Sequence, residues 1–150
     1  MNYSPNFQSQ EFSRDCPIPD DCTTSFIALC TQILEPIREF CGPMLITSGY
    51  RSPDSNQVAH GVSSSQHITT PDWCAADFYA YKYSEQTPVM DWIRNNAKLV
   101  FDQVILEHNP TGQDIIHISW VRSSPRREAL EGETANQAPY THLLVVPLRQ

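Results

Sequence analysis

The chain carries five histidines, His60, His67, His108, His117 and His142, and seventeen acidic residues against ten basic ones. A histidine taken alone is more often a hydrogen-bonded surface or core residue than a ligand, so context must select among them. His67 ends a polar run, Ser63, Ser64, Ser65 and Gln66. His117 falls in the middle of a strand-like run, Ile115, Ile116, His117, Ile118, Ser119, Trp120, where alternation gives it a face shared with Ile115 and Ser119. Asp77 lies between Ala76 and Phe78 in a second such run. A carboxylate there is costly to bury unless it is paired or bound to a cation. Two imidazoles and one carboxylate make a donor set that a zinc ion accepts, at ligand distances of about 2.0–2.2 Å. His60, His108 and His142 are read as non-ligands.

These residues belong to an ordered series of short motifs. Thr47, Ser48, Gly49, Tyr50, Arg51, Ser52 and Pro53 are followed by Asn56, then by Ser65, Gln66 and His67, then by Ala75, Ala76, Asp77 and Phe78. Further on come Phe101, Asp102, Gln103, Val104, Ile105, Leu106 and Glu107, and then Ile116, His117, Ile118, Ser119 and Trp120. Upstream fragments, Asn6, Phe7, Glu11, Phe12 and the run 34–38, extend the series. Over residues 5–121 the chain resembles the peptidase M15 family of zinc-dependent D-Ala-D-Ala carboxypeptidases and phage L-alanyl-D-glutamate endopeptidases, which share a hedgehog-like fold.

The resemblance implies one zinc ion held by His67, Asp77 and His117. Three protein ligands leave a fourth position for water, the arrangement of a catalytic site. The family's general base is usually an acidic residue or a histidine near the last ligand. Asp114, three positions before His117, is the first choice for it, although strict alternation sets 114 and 117 on opposite faces of a strand. Glu107 is the second choice. Arg51 matches the family's substrate arginine, whose fork can hold a peptide carboxylate or an oxyanion; a structural salt bridge is its plainer reading. Ser65 and Trp120 are placed at the substrate cleft, while Trp73 and Trp92, like Trp120, also read as core. One departure concerns spacing. The family pattern H-x-x-G-x-A-x-D is shorter, whereas ten positions separate His67 from Asp77 here, so the pocket edge must differ.

The implied activity is hydrolysis of peptidoglycan stem peptides by a phage-encoded enzyme. It would be either an endolysin or a lysin carried in the virion tail or baseplate, where other phage structural proteins would be partners. The alternative is a catalytically silent module of a tail or baseplate. A signalling module of the hedgehog type is a distant third.

The elements that must position these residues follow from periodicity. Phe26, Leu29, Cys30, Ile33, Leu34, Ile37, Phe40 and Cys41 recur at helical spacing, predicting a helix over 23–41 that Pro36 should kink and Gly42 and Pro43 should stop. Strands are expected at 44–47, 74–79, 99–106, 114–121 and 142–148, and a helix at 89–97. Loops are expected at 51–72 and 122–140. This describes an α+β domain spanning 1–150, with a small, mainly antiparallel sheet and helices on one side, the motifs within 5–121 and a C-terminal extension over 122–150. A net charge of −7 argues against nucleic acid as a partner, and no apolar run is long enough for a membrane span. The first residues show no basic region followed by an apolar stretch, so no secretory signal is expected. The setting would be the host cytoplasm before release, or the virion. Cys30 and Cys41 read as buried thiols, and a Cys16 to Cys22 bridge is a minor alternative.

Overall fold

The computed structural model describes residues 1–13, 16–133 and 139–149. A short helix, α1 (Ser9–Phe12), precedes the long amphipathic segment, which is not uniform. Helix α2 (Thr23–Leu29) passes through a π turn (Cys30–Leu34) into α3 (Glu35–Cys41). Pro36 therefore sits in the first turn of α3, after the widened turn. A proline lacks the N–H of a regular ladder, and the π turn takes up that loss. Phe26, Leu29, Cys30, Ile33, Leu34, Ile37 and Cys41 are fully buried. Phe40 stays at the rim, stacked on Trp92 with ring centroids 4.8 Å apart. Gly42, at φ 79°, ends the segment.

Strand β1 (Met44–Ser48) follows. The expected loop over 51–72 contains a helix, α4 (Pro53–Val58), whose Ser52 side chain caps the Ser55 N–H at 3.1 Å. Strand β2 (Trp73–Ala80) leads to α5 (Thr87–Asn95), β3 (Gln103–His108) and β4 (Ile115–Val121). Residues 99–102 lie outside β3, although Leu99 and Phe101 are buried in the core. The expected loop over 122–140 contains a strand, β5 (Glu128–Glu133). The expected strand over 142–148 is reduced to β6 (Thr141–Leu143). Beyond it the backbone turns to α5, with Val146 N–H donating to Arg94 O at 3.0 Å.

The sheet order is β1-β2-β4-β3-β5-β6, antiparallel throughout except for β3 with β5. Its two faces have different jobs. Cys74, Ala76, Phe78 and Ala80 of β2, Ile116 and Ile118 of β4, and Val104 and Leu106 of β3 belong to the core with the helices. The intervening residues face the other way: Asp77, His117, Ile105 and Glu107 come into line there, because Asp77 pairs with His117, Ile105 with His117, and Glu107 with Ile115. All five cysteines are free thiols, and all but Cys16 are buried, so Cys16 and Cys22 form no bridge. Burial raises the Cys30 and Cys74 thiols far above their ordinary range. Among the described residues no helix is long and apolar enough to cross a membrane.

Gly49, just past β1, passes directly over the backbone of α1. A Cβ on it would lie 2.6 Å from both the Cα and the carbonyl oxygen of Phe12. The same Phe12 carbonyl accepts the Tyr50 N–H at 2.8 Å. Gly49→Ala is expected to lower unfolding stability by about 1–3 kcal/mol through overpacking, read as a lower denaturant midpoint.

Candidate metal centre

The centre assembles from four pieces of chain. A β-bulge between Ile46 and Ser48 sets Ser48 opposite Asp77. Arg51, three residues on, donates from Nε to Ser48 Oγ and from Nη2 to Asp77 Oδ2, each at 3.0 Å. The segment 49–51 also clamps the loop that carries His67. Arg51 N–H donates to His67 O at 2.9 Å, and His67 Nδ1 lies 2.6 Å from Gly49 O. Ser65 closes the turn before His67, accepting the His67 N–H on its hydroxyl at 3.3 Å and the Ile68 N–H on its carbonyl at 3.0 Å. The extra residues between His67 and Asp77 fold into a tight turn, with Thr70 N–H on Trp73 O at 3.0 Å, so β2 still reaches the centre in register. Trp73 is exposed rather than core, and its indole N–H holds Ile68 O at 3.1 Å.

His67, Asp77 and His117 converge. His67 Nε2 lies 3.1 Å from Asp77 Oδ1 and 3.2 Å from His117 Nδ1, and His117 Nδ1 lies 2.8 Å from Asp77 Oδ1. A carbonyl can only accept, so the Gly49 contact places the His67 proton on Nδ1 and leaves the Nε2 lone pair facing inward. Three electron-pair donors thus point at one spot. The separations resemble those around a tetrahedral ion, whose donors at about 2.0–2.1 Å sit about 3.3 Å from one another. The residues present therefore fit a divalent metal ion, with His67, Asp77 and His117 holding it. The side chains of Asp77, His117 and Arg51 retain 14%, 12% and 19% of their exposure, which leaves the centre open to solvent on one side. Burial alone would raise the Asp77 carboxyl. When the two rings carry protons, the charge of His67 and the hydrogen bonds they then donate outweigh it and hold the group well below the usual carboxylate range; a bound cation would take over that role.

The two candidate bases separate. Asp114 pairs with His108 just before β4. Its Oδ2 meets His108 Nδ1 at 3.0 Å, its Oδ1 accepts the Asn109 N–H at 3.1 Å, and His108 Nε2 also reaches Glu131 at 2.8 Å. β4 begins at Ile115 and its register runs unbroken from there, while the Asp114 carboxylate just before it is held by His108 and Asn109 rather than by His67, Asp77 or His117. Glu107 does lie on the centre's face. Burial first, and then the charge of Asp77, raise its carboxyl above the ordinary value. Trp120 is on the far side from His117, packed against the core and donating to Gln32 Oε1 at 3.1 Å, so it does not wall the centre.

Two contributors have no role in the sequence reading. Asp102, at the start of β3, is buried and accepts the Arg126 N–H at 2.8 Å, the Arg126 guanidinium at 2.7 Å and the Gln66 amide at 2.9 Å. It thereby ties the residue before His67 to the connection between β4 and β5. Burial opposes its charge, but Arg126 and Gln66 prevail and lower its pKa. The second is Tyr140, whose hydroxyl donates to Glu107 Oε1 at 3.1 Å. Asp102 was visible as a motif residue without an assigned partner. Tyr140 lies in a stretch with no periodic signal.

Metal-free protein is expected to take up about one divalent ion per chain, with release of protons, and His67→Ala or His117→Ala to abolish uptake in calorimetry. Binding should weaken in acid, because the donor atoms must be free of protons to hold the ion. Asp102→Asn should lower unfolding stability near neutral pH by roughly 1.5–3 kcal/mol. Because the Asp102 pKa is depressed in the folded state, that contribution is present above the ordinary carboxylate range. The gap between variant and wild type should therefore close as pH falls through and below that range.

The comparisons with known proteins agree with this geometry. The family model described as Peptidase M15 matches residues 5–119, which includes His67, Asp77, Glu107 and His117. No curated protein matches the chain. The match covers most of the sequence, and the chain belongs to the peptidase M15 family.

Proposed function

We propose that the chain is a zinc-dependent peptidase that hydrolyses peptidoglycan stem peptides, as a D-Ala-D-Ala carboxypeptidase or an L-Ala-D-Glu endopeptidase. The carrying observation is the convergence of His67 Nε2, Asp77 Oδ1 and His117 Nδ1 beside Arg51. Two imidazoles and a carboxylate favour zinc over magnesium or calcium, which prefer all-oxygen shells. Bound there, the ion would supply a Lewis acid for the scissile carbonyl and a water of lowered pKa.

The chain's own residues do the rest. Glu107 takes the proton of the attacking water and returns it to the leaving amine, a role for which its raised pKa suits it. Arg51 remains bonded to Asp77 Oδ2 and still has guanidinium N–H groups to offer the carboxylate or carbonyl oxygen of a stem peptide. The orientation of His67 is set by Gly49 and that of His117 by strand register. The resemblance to phage endopeptidases supports a phage setting, and the acidic net charge of −7 favours a lysin carried in the virion over a free, wall-gripping endolysin.

The test is incubation of purified sacculi with wild type and variants. Wild type should release new amine termini, and a chelator should stop it. Glu107→Gln should reduce the rate by about 10²–10⁴-fold, whereas Asp114→Asn should keep most of it. Activity should fall as pH drops through the Glu107 range, because the base must be ionised. A folded, zinc-loaded wild type that releases nothing would leave the silent structural module as the better reading.

A further inference from the structure

We propose that Tyr140, from the C-terminal segment outside the family match, is a positioning residue that holds Glu107 in its working orientation. The inference rests on Glu107 as the base. Three independent features place Tyr140 there. In the parallel pairing of β3 with β5, the residue opposite Glu107 is Gly132. Lacking a side chain, Gly132 leaves a slot beside Glu107, and the Tyr140 ring fills it: a Cβ on Gly132 would lie 2.5 Å from Tyr140 Cδ1 and 3.1 Å from Cε1. β6 begins immediately after Tyr140, and the pairing of Thr141 with Glu131 fixes the backbone that carries the ring. The hydroxyl then donates to Glu107 Oε1 at 3.1 Å.

The chemistry of the pair is one-directional. Burial, with the Glu107 charge beside it, pushes the Tyr140 hydroxyl up to about 12, so it stays a donor over any working pH. A donor aimed at one carboxylate oxygen favours the ionised form and fixes the plane of the group. It opposes the burial and the Asp77 charge that raise Glu107. The groups that act on Glu107 are Asp77 on β2, His117 on β4, His67 on the loop before β2, and Tyr140 after β5. Of these, Tyr140 alone is not a candidate metal ligand, so it can be changed without altering the donor set.

The experiment uses Tyr140→Phe and Gly132→Ala in the full chain, with Glu107→Gln as reference. Tyr140→Phe keeps the ring and removes the donor. Gly132→Ala keeps the donor and displaces the ring. Each is expected to lower kcat on sacculi-derived peptides at least about tenfold with KM little changed, and to leave zinc affinity within about twofold of wild type. A readout independent of turnover comes from metal-free, carboxyl-¹³C glutamate-labelled protein. The Glu107 resonance, assigned by its loss in Glu107→Gln, should titrate about one pH unit or more higher in Tyr140→Phe. If kcat and this titration are unchanged in both variants while Glu107→Gln is inactive, the positioning role is overturned and the base reading stands. If Glu107→Gln is fully active, both fall. If wild type does not act on sacculi, the labelled titration still decides whether Tyr140 governs Glu107.

Discussion

One hydrogen bond determines what the centre can be. His67 Nδ1 meets the Gly49 carbonyl at 2.6 Å, and because that partner can only accept, the opposite ring nitrogen is left with its lone pair turned toward Asp77 and His117. With the other tautomer, Nε2 would be a proton donor and the ring an ordinary partner for Asp77. The bond depends on where Gly49 sits, and Gly49 is wedged against Phe12, where no side chain fits. The three residues 49, 50 and 51 each tie down something different: the His67 ring, the α1 backbone and the His67 backbone. The N-terminal arm is thus connected to the metal-ligating loop through the segment 49–51, and packing more than thirty residues upstream in the chain sets a tautomer at the centre.

Strand alternation then sorts the acids. Asp77 and Glu107 share one face, whereas Asp114 is engaged by His108, whose other ring nitrogen reaches Glu131. On the centre's face the two carboxylates are driven in opposite directions by their surroundings. Asp77, with two imidazoles turned on it, stays ionised, and its charge is one reason Glu107 is easier to protonate. Carboxyl groups whose environments drive their pKa values apart are suited to different jobs, one holding a cation and the other moving a proton.

How much of this could be read in the sequence depended on whether the signal was local. The helix over 23–41 and strands β2, β3 and β4 were legible because their buried faces repeat at one fixed period. Asp77 and His117 were legible as polar side chains within strand-like apolar runs, whereas His67, at the end of a polar run, was legible chiefly through the ordered motif series. Asp114 is the first-choice base by distance along the sequence, yet its carboxylate is taken up by His108 and the Asn109 N–H, contacts that no spacing in the sequence announces. β5 was missed for a different reason. Glu128, Ala129, Glu131 and Gly132 have poor strand propensity, and the segment is a strand only because β3 offers it a partner. Tyr140 inherits that invisibility, since its position exists only once β5 and β6 are in place.

The C-terminal segment also answers a topological problem. The family match ends at residue 119, within β4. In a sheet that stopped with β4, the order β1-β2-β4-β3 would leave β3, the strand carrying Glu107, as an edge with a row of unpaired backbone groups. The segment that follows crosses the start of β3 at Asp102, which accepts the Arg126 N–H on its side chain and the Glu128 N–H on its carbonyl, both within 2.9 Å. Having crossed, it can run only parallel to β3, and that register brings Gly132 opposite Glu107. The covering of the edge and the shaping of the centre are therefore consequences of the same crossing, and Asp102 is the residue on which both turn.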